Sequence, residues 1–76
     1  MNYYRVQVAL AHMGAHHTEY TCWHIATSAS AADVMFNRDK LLPGVRQVLE
    51  VRAVTEAEYE AARTWGQKAF RIEPRR

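Results

Sequence analysis

The stretch TEAEYEAARTWGQKAFRIE, residues 55–73, carries the clearest local signal in the chain. Thr55 and Glu58 form a T-x-x-E capping box, in which each side chain satisfies a backbone N–H near the other. Behind the box, Tyr59, Ala62 and Gly66 fall on one helical face, with Ala61 and Trp65 beside them. Glu56, Glu58 and Glu60 crowd the end where the helix dipole is positive. Gly66 is a natural C-cap. AFRIE, residues 69–73, then reads as a candidate short edge strand before the closing PRR.

Moving toward the N-terminus, VRQVLEVRAV (45–54) reads as a strand, with Val45, Leu49, Val51 and Ala53 set against Arg46, Val48, Glu50 and Arg52. LPG at 42–44 ends the element before it, because proline disfavours helical backbone in the preceding residue. That element, SASAADVMFNRDKLL (28–42), has a helical period. Ser28 or Ser30 serves as N-cap, Asp33 lies in the first turn, and Ala31, Val34 and Met35 form an apolar stripe extended by the stem of Arg38. Two strands precede it. In NYYRVQVALA, Tyr4, Val6, Val8 and Leu10 oppose Tyr3, Arg5, Gln7 and Ala9. In HTEYTCWHIAT, Trp23 and Ile25 oppose Tyr20, Cys22 and His24, and Gly14 turns the chain between the two strands.

The element order ββαβα predicts an α+β domain. A right-handed crossover from the second strand to the third places the third beside the first. The expected sheet is therefore three-stranded and antiparallel in type, of order 2-1-3, with both helices on one face and the short fourth strand as an optional addition. One domain spans 1–73, and 74–76 form a flexible basic tail.

Composition narrows the function classes. An apolar fraction of 49% with 24% charged residues describes a globular chain and argues against disorder. The net charge of +2 is unevenly spread. Residues 1–32 hold only Arg5 and Glu19, and residues 33–63 hold five basic and six acidic groups. The end from Thr64 carries Lys68, Arg71, Arg75 and Arg76 against Glu73. The basic pI of about 9.0 thus reflects the chain end more than a basic face. The single Cys22 leaves no internal disulfide and no cysteine-pair zinc site. The chain starts at a methionine with no apolar leader and is expected to be cytoplasmic, in the host cell if it is phage-encoded.

Four histidines invite a metal reading. His16 and His17 are adjacent, so in extended structure they point to opposite sides, and no carboxylate or thiolate sits near the loop to complete a ligand set. His12 and His17 across the hairpin offer at most a weak two-histidine site. No resident metal and no cofactor are expected. Cys22 and His24 share a strand face, but no third group orients them, and Ser28, Ser30 and Thr55 are accounted for as caps. No glycine-rich phosphate loop exists, so no catalytic residue is assigned and the chain is not expected to be an enzyme.

What remains is the uncovered sheet face. It displays Tyr3, Arg5, Gln7, Tyr20, Cys22, His24, Arg46, Val48, Glu50 and Arg52. Tyrosine and arginine are the usual anchors of protein contact surfaces, and the partner-binding assignment falls on Tyr3, Arg5, Tyr20, His24, Arg46 and Arg52. The second strand, an edge in the 2-1-3 order, has one charge and no proline, which favours pairing with another strand. A homodimer or an edge-mediated complex with a larger protein or nucleoprotein is therefore expected, with no membrane partner. The alternative is a small single-stranded nucleic-acid binder, with Tyr3 and Tyr20 stacking on bases and Arg5, Arg46 and Arg52 on phosphates. Glu50 on the same face opposes that use.

MNYYRVQVAL at the start and VRAVTEAEYEAAR near the end resemble the opening and closing motifs of small phage- and prophage-encoded accessory proteins. The resemblance implies a host-takeover or anti-defence factor, anti-CRISPR proteins included. Such factors act without catalysis, as inhibitors that occupy a surface on a host complex. It carries over no site residue, since that group shares no common motif. The mildly basic charge sets this chain apart from acidic nucleic-acid mimics, leaving steric or edge-strand binding as the expected mode.

Overall fold

Two ten-residue strands on either side of one loop make a long hairpin. In the computed structural model, which describes residues 1–11, 18–37, 41–42 and 44–74 (Ala11 by its backbone alone), β1 spans Asn2–Ala11 and β2 spans Thr18–Thr27. They pair antiparallel from Asn2↔Thr27 to Ala11↔Thr18 with no slip. Next come α1 (Ala31–Phe36), β3 (Val45–Ala53), α2 (Glu56–Thr64) and β4 (Ala69–Arg71). The result is a small α+β fold with one mixed four-stranded sheet of order β3-β1-β2-β4. The hairpin loop containing His12, Gly14, His16 and His17, the stem of Arg38 and all of the tail except Pro74 lie outside the described residues.

The order of the first three strands is as the sequence predicts. The fourth strand changes the rest. β4 runs parallel to β2, pairing His24↔Ala69, Ile25↔Phe70 and Ala26↔Arg71, so the sheet is mixed and not purely antiparallel. β2 is therefore an inner strand along His24–Ala26.

The position of β4 also overturns the expectation that both helices lie on one face. Because β1 opposes both β2 and β3, strands β2, β3 and β4 all run the same way. The path from β2 through α1 to β3 crosses the sheet in one direction, and the path from β3 through α2 to β4 returns in the other. Two crossovers of the same hand, taken in opposite directions, put their helices on opposite faces.

The packing agrees. On the valine face, Tyr4, Val6, Val8, Ile25, Val45 and Val48 form the core with Val34 of α1 and with Leu41 and Leu42. On the other face, which carries Arg5, the Tyr3 ring meets Tyr59 of α2 with centroids 5.3 Å apart.

Register irregularities decide which β3 residues are buried. The β1–β3 ladder shifts between Gln7 and Val8 and again between Ala9 and Leu10, leaving Leu49 and Arg46 without a cross-strand partner. Each such bulge advances the chain by one residue and reverses the later side chains. Val45, Val48 and Val51, three residues apart, thus all reach the valine face. Val48 is buried and Leu49 is 42% exposed, the reverse of what simple alternation predicts.

Local chemistry holds the turns. Ser30 is the N-cap of α1, its Oγ accepting from the Asp33 N–H at 3.2 Å. Within the predicted stripe of α1, Val34 is buried and Met35 half-buried, but Ala31 is exposed because the six-residue helix turns it to solvent. The Ala29 carbonyl takes hydrogen bonds from Tyr4 Oη and Asn2 Nδ2, both at 3.1 Å, tying the end of β2 to β1. Ser28 donates from its backbone N–H and its Oγ to the Glu73 carboxylate, fastening the chain just after β4 to the end of β2. Thr55 caps α2 by accepting from the Glu58 N–H at 3.1 Å. The Glu58 carboxylate does not close the box; it reaches Arg52 at 3.8 Å. Gly66 ends α2 at φ +75, backbone that side chains with a Cβ rarely adopt.

Candidate functional site

The Arg5-bearing face divides into a covered and a bare half. α2 lies over the covered half. There Tyr3 is half-buried against Tyr59, and His24 is 8% exposed. Burial, together with the negative charges of Glu56 and Glu60, raises the Tyr3 phenol above its ordinary value of 10.0. Of the six predicted partner-binding residues, Tyr3 therefore belongs to the packing of α2, and His24 is buried where β4 joins β2. The sequence reading put Tyr3 on an open surface because it placed α2 on the opposite side of the sheet, and His24 there because it left the position of β4 open.

The bare half begins beyond α2. Tyr20 is 69% exposed there, Gln7, Arg46, Gln47, Glu50 and Arg52 are exposed, and Arg5 and Cys22 are half-buried. A shallow hollow of about 250 Å³ is lined by Gln7, Val8, Tyr20, Thr21, Cys22 and Leu49. Its apolar walls are Tyr20 and Leu49, the latter turned outward by the bulge. The arginines around it are held in place: Arg5 Nη2 donates to Cys22 Sγ at 3.2 Å, and Arg46 Nη1 donates to Thr18 Oγ1 at 3.2 Å across the sheet. Tyr20, Arg5, Arg46 and Arg52 of the predicted set are brought to this side. Val48, predicted for the open face, sits in the core instead.

The hydrogen-bond partner of Cys22 Sγ is Arg5 and not His24, so the conceivable thiol–imidazole pair is not formed. Among the described residues no three histidine, cysteine, aspartate or glutamate side chains gather as metal ligands. Nor is any helix among them long and apolar enough to cross a membrane.

Sequence reasoning missed Leu49, Phe36 (78% exposed) and Trp65 (82% exposed) as surface groups. For Leu49 a signal existed in the three-residue spacing of Val45, Val48 and Val51. For Trp65 it was the position itself, one residue past the end of a short helix. Comparison with protein-family models, with curated proteins and with solved structures gives no match.

Proposed function

We propose that the chain is a non-enzymatic protein-interaction module that binds and blocks or bridges a larger partner through the bare half of its sheet. The observation that carries this reading is the hollow walled by Tyr20 and Leu49 with arginines around it. An exposed aromatic and an exposed leucine on a rigid sheet provide anchor area at low entropic cost, and arginine is the charged residue most favoured at such contacts. With Arg52 paired to Glu58, Arg5 and Arg46 stand against Glu50 and leave the surroundings mildly cationic. The matching partner is a protein surface that presents an apolar side chain among acidic neighbours. A blocking role fits the inhibitor function implied by the resemblance to phage accessory proteins, and on that reading the chain acts in the cytoplasm of the host cell.

Single-stranded nucleic acid is the weaker candidate for the same face. Tyr3 packs at a tilt against Tyr59, Arg52 is paired with Glu58, and Glu50 stands among the remaining cations.

The test is selection of a displayed peptide library against the wild type and against Tyr20→Ala with Arg52→Ala, with folding checked by circular dichroism. Acidic, aromatic-containing binders that the double variant fails to retain support the reading. Equal recovery on both proteins overturns it. Salt-sensitive anisotropy changes with a labelled single-stranded oligonucleotide would move the assignment to nucleic acid.

A further inference from the structure

β3 pairs with β1 on one side only, and among the described residues no strand lies along its other edge. The Val54 N–H donates to the Tyr3 carbonyl at 2.9 Å, and Tyr4↔Ala53, Arg5↔Arg52, Val6↔Val51 and Gln7↔Glu50 follow in register. Backbone groups alternate in direction along an antiparallel strand, so Glu50 and Arg52 bond to β1 while Val51 and Ala53 direct their N–H and C=O outward. Both bulges of β3 lie before Glu50, which leaves 50–53 a regular edge. Glu50, Arg52 and Ala53 are exposed along it. Glu50 has no hydrogen bond or ion pair among the described residues. Arg52 meets Glu58 through Nη2 at 3.8 Å, with both side chains about half exposed, so its five-donor fork keeps N–H groups to spare.

We propose that this edge pairs antiparallel with the same edge of a second copy, with Val51 on the two-fold axis. Val51 of each copy then exchanges both backbone hydrogen bonds with Val51 of the other. Ala53 lies across from Leu49, which has no partner in β1. Glu50 of each copy lies across from Arg52 of the other, in the non-hydrogen-bonded positions where opposed side chains are closest. The two-fold repeats this contact, so the interface holds two matched charge pairs, as an isologous contact requires. Charge selects the register. Centring on Glu50 or on Arg52 would set that residue against itself, and centring on Leu49 would oppose Arg52 to Arg46. Centring on Val48 matches Glu50 with Arg46, but it puts the Leu49 bulge of each copy inside the ladder, and Arg46 is held by Thr18. Centring on Ala53 runs the ladder into the cap of α2. Charges guard an edge when they repel a second copy; Glu50 and Arg52, one residue to either side of Val51, attract one. Past Ala53 the chain turns into α2, which returns across the sheet toward β4 and leaves the new ladder clear. The two sheets become one of eight strands. The pairing goes beyond the contact-face proposal and does not depend on what the hollow binds.

Two measurements on the full chain test it. In sedimentation equilibrium the wild type should dimerise, and Glu50→Arg or Arg52→Glu alone should raise the dissociation constant roughly tenfold or more, by setting like charges across the axis. Mixing these two variants should restore dimers, because both cross-strand pairs are then again of opposite sign. The register is read separately by cross-linking. In a Cys22→Ser background, Glu50→Cys mixed with Arg52→Cys should form the mixed disulfide under mild oxidation, since directly opposed non-hydrogen-bonded residues lie within disulfide reach. This arm does not depend on whether the charge-reversal variants fold. A wild type that stays monomeric at millimolar concentration overturns the proposal. So does a dimer that either charge reversal leaves unchanged, or self-linking of Glu50→Cys or Arg52→Cys in place of the mixed disulfide.

Discussion

Val48 and Leu49 show how much one residue's direction is worth. Val48 is 6% exposed in the core and Leu49 is 42% exposed beside Tyr20. Val48→Ala should cost about 2 kcal/mol, the value of burying a valine plus the cavity left behind. Leu49→Ala should stay within about 0.5 kcal/mol, as exposed substitutions do. Chemical denaturation of the two variants checks the bulge directly, because regular alternation would reverse the order. Glu73 gives the pH prediction. Its hydrogen bonds from Ser28, followed by those from Arg71, hold its carboxyl below the ordinary value of 4.5. The folded state thus binds this proton less readily than the unfolded chain. The stabilisation is fully present above about pH 4.5 and is lost as pH falls through the lower folded value. Glu73→Gln should flatten the acid limb of a melting-temperature profile by lowering its neutral region, leaving the acid end least changed. Tyr3 acts at the other extreme: its raised value supplies stability below pH 10.0 that is lost as pH climbs through the folded value.

At the scale of elements, α2 and β4 behave as one unit. The helix is stopped by Gly66, and the strand is held by the Trp23–Phe70 contact, an edge-on pair with centroids 5.4 Å apart, and by the Ser28–Glu73 bonds. Thr55→Ala should destabilise the fold by about 1 kcal/mol through loss of the cap. Gly66→Ala should cost a similar ~1 kcal/mol, since φ +75 is strained for any residue with a Cβ. Hydrogen exchange after Thr55→Ala should quicken in α2 and at the His24 and Ile72 amides, and least in the β1–β3 ladder. Equal quickening throughout would show that α2 and β4 are not a separable unit. The Thr55 half of the capping box, the α1 cap and all three long strands were legible in the sequence, because each rests on neighbours in the chain; the reciprocal Glu58 half is replaced by its contact with Arg52. The placement of β4 was not legible. Three residues carry too short a pattern to choose between the two sheet edges, and only the return direction of the crossover makes that choice.

For the whole molecule, the sheet has two unlike faces: one closed by α1 and the segment after it, the other half closed by α2. The bare half begins where the cover of α2 ends, and Tyr20 stands exposed on it.

By itself, the sequence determined the elements, the α+β class, the core order 2-1-3 and the gathering of Tyr20, Arg5, Arg46 and Arg52 on one side of the sheet. Period and capping are local, and a ten-residue alternation states its own two faces. Tertiary structure alone decided that the helices flank opposite faces, that Tyr3 packs on α2 and His24 is buried beside β4, and that Leu49 points outward. Each depends on a contact between segments distant in the chain: β4 docking on β2, and two bulges where β3 meets β1. No single segment contains the information for either.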